Sequence, residues 1–173
     1  MGPFALMNAT GVPITLHASR TLEAHFGEMY SPAKALIDQV EGGQDWVISE
    51  DDTASNNTEI IKDRLLAMSL GIAAQMVSEG VSTLTDADLG ARLGLRWPIG
   101  PFELMNKLGV AKCRETVARE FKKYNNPVPD LLATVEPSRG FQVQHVEAHI
   151  VGEVGLLAFN RPDALNALNP AVV

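Results

Sequence analysis

The chain has 173 residues, 46% of them apolar and 20% charged, with a formal charge of −7. That balance is ordinary for a globular protein and leaves room for one substantial core or two half-domains. The acidic charge, with only the short basic run REFKK at 119–123 against it, argues against nucleic-acid partners. One cysteine, Cys113, precludes an intrachain disulfide and suits a reducing compartment. No apolar run approaches the about eighteen residues needed to span a bilayer, and no basic signal-peptide head opens the chain. A cytoplasmic protein without a membrane span is the expectation.

The chain opens on Gly2-Pro3-Phe4-Ala5-Leu6-Met7-Asn8-Ala9-Thr10-Gly11-Val12, and residues 100–110 repeat it with eight of eleven positions identical at an offset of 98. Such a recurrence points to an internal duplication. In each copy, glycine permits the turn, proline presets the first turn of a short helix, Phe/Leu/Met faces inward, and a second glycine stops it. Two readings stay open for the motif: architecture alone, or a wall facing a substrate.

A helix is expected over 15–26, stopped at Gly27. Ser31-Pro32 reads as N-cap and first helical position of the next helix, which places Ala33, Leu36, Ile37 and Val40 on one face and ends at Gly42-Gly43. Trp46-Val47-Ile48 reads as an apolar clasp, and Ser49–Asn57 as a polar, acidic loop. Glu59–Glu79 carries Ile61, Leu65, Met68, Ile72 and Met76 at helical spacing, with Leu66, Leu70, Ala73 and Val77 beside them. A helix about 30 Å long with so broad an apolar arc should lie at the centre of the fold.

Thr85-x-x-Asp88 resembles a capping box for a short helix ending at Gly94. After Trp97-Pro98 and the second Gly-Pro-Phe element, Ala111–Tyr124 reads as a helix with Cys113, Val117 and Phe121 on its inner face, stopped by Asn125-Asn126-Pro127. A further turn or two follows at 129–134. The pattern then alternates, and two strands with a turn near Gly152-Glu153 are expected, ending at Asn160-Arg161-Pro162. Two strands alone do not make a stable sheet, so this hairpin needs something to pack on.

Chemistry is sparse. His17, His25, His145 and His149 lack a third ligand at metal spacing, and no metal is expected. No Gly-x-Ser-x-Gly elbow, Walker loop or Gly-x-Gly-x-x-Gly after a strand occurs, so neither catalytic residues nor a cofactor site are assigned within the chain. Cys113 reads as a buried structural thiol, Trp46 and Trp97 as core residues, and Glu50-Asp51-Asp52 as a solvated turn.

Residues MGPFALMNATG with HASRTLEAHFGEMYSPAKALIDQVEGG resemble the helical C-terminal domain of 3-hydroxyacyl-CoA dehydrogenases. RLLAMSLGIAAQMVSEGVSTLTDADLGARLGLRWPIGPFELMNKLG resembles a second copy, and GLLAFNRPDALNALNPAVV resembles the opening strands of the enoyl-CoA hydratase (crotonase) fold. The resemblance implies an all-α, duplicated architecture with a short C-terminal hairpin: a first helical half over 1–50, a second over 58–135, and the start of a hydratase-like domain over 141–173. It implies a piece of a fused fatty-acid β-oxidation enzyme whose dehydrogenase passes hydride from (3S)-3-hydroxyacyl-CoA to NAD⁺ and whose hydratase adds water to a 2-enoyl-CoA. The nucleotide domain with its His–Glu pair would precede this chain, and the hydratase glutamates would follow it. Lys62-Asp63-Arg64 departs from the pattern, with Asp63 where the reacting copy carries Asn. Asn160–Asn166 matches a segment that lies beside CoA in complete hydratases.

The resemblance thus implies a substrate-binding and dimerisation portion, inactive by itself, with acyl-CoA, a second subunit or the parent's NAD domain as partners. Gly2, Pro3, Phe4, Asn8, Gly100, Pro101, Phe102 and Asn106 would form the substrate-facing wall. The alternative is a non-catalytic helical interaction module.

Overall fold

The computed structural model describes residues 2–48, 57–143, 146–160 and 165–168. Most of the loop expected over Ser49–Asn57, together with His145, Arg161–Ala164 and the last five residues, lies outside these. Among the described residues the fold is predominantly helical, with one small antiparallel hairpin. It divides into two compact units, Met1–Thr58 and Glu59–Val173.

The first unit holds α1 (Pro3–Thr10), α2 (Val12–Phe26), a 3-10 turn (Glu28–Tyr30) and α3 (Lys34–Glu41). Proline sits in the first turn of both α1 and α2, where its missing N–H costs no intrahelical bond. Gly11, at φ +98°, joins the two helices in a region that side-chain-bearing residues avoid. Val12, Leu16 and Leu36 form the core, with Met7, Ile37, Val40 and Trp46 packed around them. The clasp closes through Trp46 only; Val47 and Ile48 are exposed.

Ser31 does not cap α3. The residue before proline is pushed into extended backbone, and Ser31 has φ −55°, ψ 136°. Its hydroxyl donates to Glu23 on α2, while Ala33 occupies the N-cap position. The serine therefore ties two elements together instead of starting one.

The second unit holds α4 (Thr58–Ser78), α5 (Leu84–Gly94), α6 (Pro101–Leu108), α7 (Val110–Lys122), α8 (Asp130–Thr134) and the strands β1 (Val146–Val151) and β2 (Val154–Phe159). The buried face of α4 is Ala67, Leu70, Gly71 and Ala74, a row at spacings of three, four and seven. The expected large row points elsewhere: Ile61, Leu65 and Met76 are exposed. Small residues win the inner face because they let α7 approach closely. A methyl group at Gly71 would overlap the Phe121 ring and crowd Val117.

The N-terminus of α5 also differs from expectation. Thr83 is the N-cap, accepting from the Asp86 N–H at 3.1 Å, and its hydroxyl donates to the Asp86 carboxylate at 2.8 Å. The capping pair lies two residues earlier than Thr85-x-x-Asp88, which frees Asp88 for another task. In the hairpin Val146 pairs with Phe159 and Val151 with Val154, with Gly152 at φ +63° in the turn. Strand alternation then places Val146, Ala148, Ile150, Gly155, Leu157 and Phe159 on one wholly apolar face.

Candidate functional site

The repeated motif is the natural place to look for function, and in each unit its polar side chain is engaged by the fold. Within the second unit, Asn106 on α6 reaches the segment after α8. Its Nδ2 donates to the Phe141 carbonyl at 2.8 Å, and the Phe141 N–H donates to its Oδ1 at 2.8 Å. Phe102, fully buried, meets the Phe141 ring edge-on with centroids 5.0 Å apart. Gly140, at φ +66°, comes so near that a Cβ there would stand 2.6 Å from Asn106 Oδ1.

The first unit has the same arrangement locally. Asn8 Nδ2 donates to the Trp46 carbonyl and the Trp46 N–H donates to Asn8 Oδ1, both at 2.9 Å. Phe4 and Trp46 stack tilted with centroids 5.0 Å apart. The flanking glycines agree as well: Gly2 and Gly100 have φ −78° and −70°, and Gly11 and Gly109 have φ +98° and +94°. Gly2, Pro3 and Phe4 are exposed and Asn8 is half-buried; Gly100, Pro101 and Phe102 are buried and Asn106 is exposed.

Asp88 on α5 supplies what the pattern alone did not announce. Its carboxylate, almost wholly buried, accepts the Phe102 N–H at 2.7 Å and the Glu103 N–H at 3.0 Å, and so caps α6 from another helix. A Cβ at Gly100 would collide with it, so the motif's first glycine makes room for this cap. Burial pushes the Asp88 carboxyl above the ordinary value, against the pull of the two N–H donors; Glu103 adds to the rise and Arg92 opposes it. Arg92 pairs with Glu103 at 3.3 Å across α5 and α6.

A second polar cluster joins α4 to α7. Glu120, buried, accepts from Lys123 at 2.7 and 2.8 Å and from Arg64 at 3.4 Å. Arg64 also donates to the Tyr124 hydroxyl at 2.7 Å and lies over the Tyr124 ring. Asp63 pairs with Arg119 at 2.6 Å. The Lys123 hydrogen bond is the largest influence holding Glu120 below its ordinary value, ahead of the opposing effect of burial. Asp63 and Arg64 thus sit in an ion-pair network on the α4–α7 seam, while Lys62 pairs with Glu59 within α4.

His17 and His25 are exposed on α2, and His149 is exposed on β1. Cys113 is buried on α7 with Sγ 4.0 Å from the Met105 carbonyl, and burial raises its thiol. Among the described residues no three His, Cys, Asp or Glu side chains converge in a way that could hold a metal ion. No helix among them is long and apolar enough to cross a membrane.

One concavity stands out in the second unit: a cleft of about 370 Å³ between α4 and α5, lined by Ser69, Ala73, Ala87 and Gly90 and bordered by Trp97 and Pro101. Its walls are almost entirely apolar. Pro101 is the one wall residue expected from the sequence that reaches it; Phe102 and Asn106 face the Phe141 side instead.

The class these features define is a helical packing domain whose buried polar side chains fasten helices to one another. Residues 61–139 match the family model described as 3-hydroxyacyl-CoA dehydrogenase, C-terminal domain, so a domain of that kind occupies this part of the chain. No curated protein and no solved structure matches the chain.

Proposed function

We propose that the chain is a non-catalytic helical interaction module of the 3-hydroxyacyl-CoA dehydrogenase C-terminal type. The observation carrying this reading is how the second unit uses its polar groups. Asp88, Asn106 and Glu120 each have partners in the fold: two backbone amides, the Phe141 peptide, and a cluster of cations. Among its exposed residues the domain also offers an apolar cluster: Ile60, Ile61 and Leu65 are each more than half exposed near the start of α4. An apolar cluster of this kind marks a docking surface. A second subunit or a neighbouring domain of the parent is its occupant.

A finer version makes the first unit the end of an earlier copy of the same domain. The eight shared positions, the matching glycine angles and the paired Asn–backbone contacts support it. The parent is then an NAD-dependent (3S)-3-hydroxyacyl-CoA dehydrogenase of fatty-acid β-oxidation, with acyl-CoA as substrate and a hydratase-like domain following. In that version Phe4, half exposed, is the motif residue best placed to meet a substrate.

The test combines the purified chain with a separately expressed NAD-binding domain of dehydrogenase type. The module reading predicts association without oxidation of acetoacetyl-CoA's reduced partner, 3-hydroxybutyryl-CoA. The substrate-wall reading predicts that oxidation is restored. A chain that neither self-associates nor binds the added domain sinks both.

A further inference from the structure

We infer that the cleft between α4 and α5 binds a small, uncharged, mainly aliphatic molecule carrying one hydroxyl or comparable hydrogen-bonding group. This rests on the cleft itself and not on the reading above. Size is the first argument. The volume is about 370 Å³, within the range of small-molecule pockets. At about 30 Å³ for each water-sized unit of liquid, it holds on the order of ten heavy atoms.

Polarity is the second argument. Ser82 lines the cleft, and its Oγ is buried without a hydrogen-bond partner among the described residues. A hydroxyl left in that state is costly, and turning it about the Cα–Cβ bond into the cleft lets a ligand satisfy it. Charge is the third. Asp86 is the one ionisable side chain lining the cleft among the described residues, and the chain as a whole carries −7. An anionic head group would meet a carboxylate of the same sign, so free fatty acids are disfavoured and neutral alcohols are not. The wall is also open to a clean block: a Cβ at Gly90 meets nothing within 4 Å.

Octan-1-ol, with octanoate as the charged comparison, tests the inference on the full chain. Trp97 borders the cleft, so its fluorescence is read in a Trp46→Phe background, with calorimetry on the unaltered chain as the second measurement. Octan-1-ol is expected to bind saturably below about 1 mM and octanoate at least about tenfold more weakly. Ser82→Ala should weaken octan-1-ol by about three- to tenfold. Gly90→Leu fills the space and favours the helix, so it should remove binding without lowering the thermal midpoint. Octan-1-ol titrations that never saturate, octanoate binding as tightly as the alcohol, or binding indifferent to either variant would overturn the inference. So would a dimer of the unaltered chain that Gly90→Leu converts to monomer, since a second copy would then occupy the cleft.

Discussion

The side-chain amide of Asn106 and the backbone of Phe141 hold each other in both directions, 35 residues apart, with both hydrogen bonds at 2.8 Å. An amide side chain carries a donor and an acceptor on separate atoms, so it can meet the N–H and the C=O of one residue at once. Asn106→Asp keeps the acceptor and loses the donor, while Asn106→Ala loses both. We expect losses of about 1–3 kcal/mol, larger for alanine, measured as urea midpoints at constant slope. Asn8→Ala should act similarly on the first unit through Trp46. An alanine variant at position 106 as stable as the parent would show that the contact contributes nothing.

Asp88 makes a prediction about pH. Burial raises its carboxyl above the ordinary 3.8 despite the Phe102 and Glu103 N–H donors. A raised folded-state value means the folded chain holds this proton more tightly than the unfolded one. Its contribution is full below 3.8 and is lost as pH rises through the folded value. Asp88→Asn removes that titration and leaves one α6 amide without an acceptor, a pH-independent cost of about 1–3 kcal/mol. The gap between parent and variant should therefore widen as the solution is acidified towards the unfolded value. Denaturation curves across the acid range in which a gap instead narrows would mean that the two N–H donors outweigh burial.

The glycine at 71 sets the distance between α4 and α7. Since a methyl there overlaps the buried Phe121 ring, Gly71→Ala should cost about 1–3 kcal/mol even though alanine favours helix. Phe121→Leu opens space, so the double variant should be more stable than the sum of the two losses. Simple additivity in that cycle would argue against the close approach.

These positions also mark where the sequence is legible. The short helices of the repeated motif, their glycine stops, the long helix and the turn at Gly152 rest on neighbouring residues and can be read locally. The inner face of α4 cannot: two apolar rows compete there. The contest is decided by Phe121, fifty residues away from Gly71, filling the space that glycine leaves. Asp88 sits in a pattern that looks like a cap for its own helix, yet it caps α6. Asn106 was conspicuous as a repeated polar residue, but Phe141 has no local signature that names it as the partner. Function is harder still to read, because a domain whose polar groups bind its own backbone leaves no spacing pattern of the kind a metal or nucleophile requires.

Glu120 shows the opposite pH behaviour from Asp88. The Lys123 hydrogen bond and the nearby Arg64 and Arg119 charges hold its carboxyl below the ordinary 4.5, against burial. A lowered folded-state value gives stability that is present above the unfolded value and lost as pH falls through the folded one. Glu120→Gln should cost about 1–2 kcal/mol at neutral pH, with the penalty fading in acid. That is well short of the about 3–5 kcal/mol for breaking a fully buried pair. The reason is solvent: Lys123, Arg119 and Arg64 are 52%, 54% and 42% exposed at their side chains, so water screens each attraction. Raising the salt concentration should shrink the penalty further. A loss that persists undiminished in acid would assign it to packing of the side chain and not to its charge.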